Sequence, residues 1–244
     1  MPKVTENTPP YCQFIRGSAN KFGLGIDSLN AKKAGWHANS LWQQIQHEFN
    51  NGSESQICLS RQPRMLVLNR SQTMMTDNGR NIYAYDRENC KGYKAFSYWV
   101  VWFLDRNNQP LSRFPFRLKC AGYQGTSLMK LYDYPNETNT FSQNMSLLYQ
   151  QLSGRTQIVD RERFLAHAVY QPNLVREMKA PRSNPQHGSM TVITKDYLVP
   201  TRNNFTSLLI INGSHLSQWI VKFMQDTKPW LRESALAQLE TTAN

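Results

Sequence analysis

The stretch RFPFRLKC, residues 113–120, places cationic and apolar side chains in alternation. In an extended chain successive side chains point to opposite faces, so Arg113, Arg117 and Lys119 fall on one side. Phe114, Phe116, Leu118 and Cys120 fall on the other. A row of guanidinium and ammonium groups can follow a line of phosphates, and the surrounding sequence is rich in the same chemistry. Between residues 61 and 119, eleven Lys or Arg stand against four acids, so +7 of the chain's net +11 lies in under a quarter of its length. The segment YAYDRENCKGYK, residues 83–94, interleaves cations with tyrosines among polar neighbours, where hydroxyls stay wet. A single-stranded nucleic acid offers phosphates to cations and open base faces to aromatic rings, each stacked base contributing about 1–3 kcal/mol. The residues that fit those roles are Arg80, Tyr83, Tyr85, Arg87, Lys91, Tyr93, Lys94, Arg113, Arg117, Lys119 and Tyr123. The competing role for the trio on 113–120 is a solvated face, or charge at a sheet edge that deters aggregation, with Pro115 fitting an edge.

Other chemistries find less support. Asp160 followed by Glu177, Met178 and Lys179 resembles the Asp…Glu-x-Lys arrangement of metal-dependent nucleases, in which two carboxylates hold Mg²⁺. That arrangement requires Asp160 and Glu177 to converge. The GLG of residues 23–25 lacks the third glycine of a dinucleotide fingerprint and suits a turn. His37 and His47 lie ten apart, too far to chelate from one helix turn, and His167 alternates with apolar residues as a hydrogen-bonded structural histidine does. The four cysteines, Cys12, Cys58, Cys90 and Cys120, form no C-x-x-C pair, which argues against a zinc ribbon and for reduced thiols in the cytoplasm. No cofactor, metal or catalytic residue is expected. The sequence therefore favours a non-enzymatic nucleic-acid-binding protein, with a non-catalytic adaptor subunit and a metal-dependent nuclease as the alternatives. No sequence-specific motif is present, and protein partners stay open.

Composition sets the outer bounds. With 244 residues and 40% hydrophobic content the chain can bury a core unaided. Its cationic excess suits a polyanionic partner. The longest apolar run, YWVVWFL, falls far short of the ~20 residues a membrane helix needs, and no membrane partner is expected. MPKVTENTPP lacks the apolar centre of a secretory signal.

These side chains need elements to hold them. The spacing of Trp42, Ile45 and Phe49 predicts a helix stopped by NNG. The segments QICLSRQPRMLVLN, NIYAYD, KAFSYWVVWFLD and RFPFRLKC predict strands, the third apolar on both faces and hence central. Phe141, Met145, Leu148 and Leu152 predict a helix closed at Gly154. RFLAHAVYQPNLVREM and MTVITKDYLVP read as extended, with the early strands as their pairing partners. Leu216, Trp219, Ile220 and Phe223 form a closing helix face that continues past Pro229 or frays. The expected class is α+β: a mostly antiparallel sheet, or a small barrel of the oligonucleotide-binding type, with flanking helices. Residues 1–12 are expected as a tail, 13–228 as one mixed domain, and 229–244 as a terminal helix or fraying segment.

Three segments carry a resemblance: AGW at residues 34–36, PRMLVLN at 63–69, and WFLDRNNQPLSRFPFRLKCAGYQGTS at 102–127. They are similar to an uncharacterised cyanobacterial protein family, a domain of unknown function. The resemblance spans about the middle half of the chain, implies a cytoplasmic protein, and transfers no catalytic residue.

Overall fold

The protein is described by a computed structural model covering residues 8–18, 20–49, 52–77, 81–86, 88–134, 137–180 and 186–239, with side chains through Leu231. It opens with β1 (Tyr11–Arg16), β2 (Phe22–Asp27), α1 (Ser28–Ala34), β3 (Gln43–Glu48), β4 (Glu54–Ser60) and β5 (Arg64–Arg70). The short β6 (Met74–Thr76) and β7 (Ile82–Ala84) lead to the long β8 (Lys94–Leu104) and then β9 (Phe116–Ala121). Helices α2 (Gly122–Asp133), α3 (Phe141–Ser153) and α4 (Arg161–Ala166) follow. The chain then forms β10 (Val169–Tyr170), β11 (Pro172–Lys179), β12 (Ser189–Tyr197), a 3₁₀ turn at Phe205–Leu208, and α5 (His215–Leu239).

Among the described residues ten strands form one sheet in the order β10-β5-β8-β9-β1-β2-β4-β3, with β6 and β7 alongside the first part of β8. Every pairing in it is antiparallel except β1 with β9. The α+β class predicted from sequence is therefore observed, but among the described residues the sheet does not close into a barrel. β11 and β12 pair with each other as a separate hairpin, so they do not complete the main sheet as the extended late segments suggested.

β8 is the central strand its two apolar faces predicted. Trp99 through Leu104 are all at most 3% exposed. Paired residues on neighbouring strands share a face, so register sorts the core into two layers. Trp99, Val101 and Phe103 join Leu118 and Phe116 on one face, where Trp36, Trp42 and Tyr132 of α2 pack against them. Tyr98, Val100 and Trp102 occupy the other, where α5 lies along the strand: Phe223 meets Trp102 edge-on at 5.0 Å and Trp230 meets Tyr98 at 5.7 Å. Asn69 fixes the helix further by donating to the Met224 carbonyl and Thr227 Oγ1, each at 2.7 Å. Pro229 costs the helix one backbone bond. The burial of Trp230 and Leu231 outweighs it, and α5 runs through the proline.

Several local expectations give way to tertiary context. Residues 43–48 form a strand, not a helix: Ile45 and Phe49, four apart, satisfy both periods, and the long ladder to β4 decides for the strand. They cover a small cluster of Ile15, Ile57 and Leu59. The GLG expected as a turn lies inside β2, where Gly25 leaves room for Ile15 and Ile57 to meet over the sheet, space a Cβ would fill. Tyr11 and Cys12, expected in the tail, begin β1. Helix α2 escaped the periodicity because it carries two glycines. One of them, Gly125, lets the helix rest directly on the Cys120 backbone. Asp160 caps α4 by accepting from the Arg163 amide at 2.9 Å, so residues 163–166, expected to be extended, lie in a helix.

Two polar groups, one half-buried and one buried, make stability depend on pH. Asp133 is half-buried, which raises its pKa, but bonds from Arg161, Ser142 and Arg70 at 2.6–2.8 Å more than offset this and hold it down near 2. Its folded pKa lies below the ordinary 3.8. The stabilisation is therefore complete above pH 3.8 and lost as pH falls through about 2. Discounted for the exposure of both arginines, Asp133→Asn is expected to cost about 1–2 kcal/mol at neutral pH and to flatten the acid limb of a urea-denaturation series.

His167, 4% exposed, must donate from Nδ1 to the Arg163 carbonyl at 2.7 Å, which leaves Nε2 to accept from Ser217 Oγ at 2.8 Å. Burial first, opposed by that carbonyl bond, lowers its pKa below 6.5. The neutral ring's contribution is thus full above pH 6.5 and declines as pH falls toward the depressed folded value. His167→Gln should lower the urea midpoint at pH 8 and narrow its gap to wild type by pH 5. A constant gap would contradict the assignment.

Candidate nucleic-acid interface

Of RFPFRLKC, only residues from Phe116 onward are in a strand. Arg113 and Phe114 lie in a bend whose amides both donate to the Ala34 carbonyl, at 2.8 and 3.2 Å. The cationic side of β9 nonetheless has one address. Arg117 pairs with Val100 and Lys119 with Tyr98, which puts both side chains on the α5 face of the sheet. By the same register Lys94 also belongs to this face, two residues before Phe96. Because α5 lies along β8 and packs on β5 and β7, the β9 side chains run down its other flank. Tyr11 of β1, opposite Arg117, forms the outer wall.

The cations here rest on aromatic rings. The Arg117 guanidinium lies 5.6 Å from the Tyr11 ring centroid, and the Lys119 ammonium 4.3 Å from that of Phe96. Arg113 sits 5.4 Å over Phe114. Among the described residues none of the three forms an ion pair, and the buried Nε of Arg117 has no hydrogen-bond partner. Burial lowers the Lys119 pKa, and an anion would reverse that pressure. Tyr11 is pushed up to about 12, chiefly by burial, against the pull of Arg117.

Tyr83, Tyr93 and Tyr123 of the predicted site lie on the opposite, α2 face of the sheet. Tyr83 pairs with Met75, which pairs with Ala95, so Tyr83 belongs to the α2 face, where its ring meets that of Tyr93 edge-on at 5.4 Å. Tyr123 opens α2 on that same side and spends its hydroxyl on the Ala180 carbonyl at 2.7 Å. Tyr85 and Lys91 are exposed between β7 and β8, and Arg80 and Arg87 lie outside the described residues. Two cations of the basic block serve the fold: buried Arg64 donates to the Asp105 and Ser207 carbonyls and to Asn108 and Gln171, and Arg70 binds Asp133. The nuclease carboxylates have separate local uses, Asp160 as the α4 cap and Glu177 in a 2.7 Å pair with Lys179.

At the Arg113 end of the flank opens a cleft of about 840 Å³ between residues 108–114, residues 206–211 and the first half of α5. Trp102 and Phe223 form its inner aromatic wall. Phe114 and Trp219, 43% and 38% exposed, present ring surface to its mouth. Lys222 lies 5.0 Å over Trp219. Trp219 and Phe223 were legible only as a helix face, and the usual inference that such a face is core holds for Phe223 but not Trp219. The available signal was Lys222, three residues on, which stacks above Trp219 on the same helix stripe. Phe114 was assigned to the apolar side of a strand that begins two residues later.

A family model described as "Domain of unknown function (DUF5895)" matches residues 6–243 of the chain. No curated protein and no solved structure matches it.

Proposed function

Since the chain belongs to the DUF5895 family, a domain of unknown function that brings no activity with it, we propose a role from surface chemistry: non-enzymatic binding of single-stranded nucleic acid along the β9 flank of α5. The backbone follows Arg113, Arg117 and Lys119, with Lys94 continuing the same face. The observation that carries this is the row of three cations held on aromatic rings with, among the described residues, no carboxylate bonded to any of them. Arg113 is exposed, but Arg117 and Lys119 are half-buried, and a surface whose only task is solubility has no reason to half-bury cations without carboxylate partners. Bases project toward Phe114 and Trp219, whose exposed rings replace the tyrosines first suited to stacking. A flexible single strand can lie between a helix and a sheet, whereas a duplex needs a protruding element to enter its grooves. We place this role in the cytoplasm, in keeping with the buried thiols of Cys12, Cys58 and Cys120.

Anisotropy titrations of labelled single-stranded DNA, single-stranded RNA and duplex DNA, at low and near-physiological salt, test the role. Single strands are expected to bind more tightly than duplex, with affinity falling steeply as salt rises. No binding at low salt would overturn the proposal and assign the cations to an acidic protein partner.

A further inference from the structure

We infer that the cleft beside Arg113 is a pocket for one unstacked nucleobase and its phosphate, a nucleoside-monophosphate site at the end of the cationic flank. Its oligonucleotide form rests on the single-strand role above, and its mononucleotide form does not. Size is the first argument: about 840 Å³ lies within the range of small-molecule sites and accommodates a base, a sugar and a phosphate. The second is the pairing of chemistry at the mouth. Phe114 carries Arg113 over its ring and Trp219 carries Lys222 over its own, so each exposed platform has a cation beside it. A planar heterocycle with an attached phosphate uses both components at once. A purely apolar ligand would leave the cations unused, and an inorganic anion would leave the rings bare.

Asp226 contributes selectivity. Among the described residues it is the only carboxylate lining the cleft, and it makes no ion pair. A carboxylate accepts and cannot donate, so Asp226 favours a base edge carrying amino or adjacent N–H donors and repels the carbonyl-rich edge of uracil. Guanine, with two adjacent donor groups, fits best. His215 accepts from Trp219 Nε1 at 3.3 Å, which helps hold the indole at the mouth.

The test uses the full chain and the intrinsic fluorescence of Trp219, with Trp219→Phe identifying its share of the signal. Guanosine, cytidine, adenosine and uridine monophosphates are titrated separately, with inorganic phosphate as the control. The nucleotides should quench saturably, guanosine monophosphate most tightly and uridine monophosphate least, while phosphate alone leaves the signal unchanged. Lys222→Ala should weaken binding by about tenfold, and Asp226→Asn should abolish the guanine preference while the unfolding midpoint holds. Absence of saturable quenching by any nucleotide at millimolar concentration, with Trp219→Ala leaving oligonucleotide affinity unchanged, overturns the pocket and spares the single-strand role. Mononucleotide binding without oligonucleotide binding supports the pocket and overturns that role instead. Quenching by phosphate alone, or equal affinity for all four nucleotides, overturns the base-selective site.

Discussion

Replacing Arg113, Arg117 and Lys119 together by alanine is expected to weaken single-strand binding by on the order of a hundredfold at about 50 mM salt, because three phosphate contacts are lost together. The log–log salt slope should become shallower by about 2, at roughly 0.7 per contact. The loss should shrink as salt rises, since it is counterion release that disappears. Arg117 and Lys119 also pack on Tyr11 and Phe96, and each such contact contributes about 0.5–1 kcal/mol at an exposed site. Glutamine replacements keep much of the side-chain stem and remove only charge, so they separate the two effects. An unchanged slope in the glutamine variant, with normal unfolding, would mean that the strand does not follow this flank.

Trp99→Ala is expected to cost about 3–5 kcal/mol in urea denaturation, enough to unfold much of a marginally stable population. Trp99 is 1% exposed, packs on Tyr132 at 5.2 Å and has the Arg70 guanidinium 5.8 Å over its ring. Its removal leaves a cavity between β8 and α2 and strips a ring from beneath an arginine already engaged with Asp133. Trp219→Ala, at the cleft mouth, should cost under about 1 kcal/mol while changing ligand binding. Two tryptophans in one aromatic-rich protein are thus separated into a core residue and a platform. Equal stability losses at both positions would contradict that division.

That division marks how far the sequence could be read. The central strand was legible because both faces of YWVVWFL are apolar, and α3 because its apolar spacing ends on a glycine with φ 68°. The α+β class followed from the order of such segments. Residues 43–48 were ambiguous because Ile45 and Phe49 suit either period, and only β4 resolves them. Likewise, α2 lacked a clear stripe because Gly125 serves its contact with Cys120. At the site, alternation correctly placed Arg117 and Lys119 together, since two residues on one strand share a face whatever the fold. It could not place Tyr83 and Tyr93 relative to them. Tyr83 belongs to a strand whose register puts it on the opposite side of the sheet, where the ring of Tyr93, just before β8, meets it, a fact set by pairings across the chain. The cleft was hidden for the same reason, its walls coming from residues about a hundred positions apart.

The most direct test of the central claim is photocross-linking of a single-stranded oligonucleotide with photoreactive bases, mapped by peptide mass spectrometry. Cross-links concentrated on peptides containing Phe114 and Trp219, and suppressed by the triple glutamine variant, are the result expected of a strand lying along the β9 flank of α5. Cross-links confined to Tyr83, Tyr93 and Tyr123 on the opposite face, and indifferent to that variant, would contradict it.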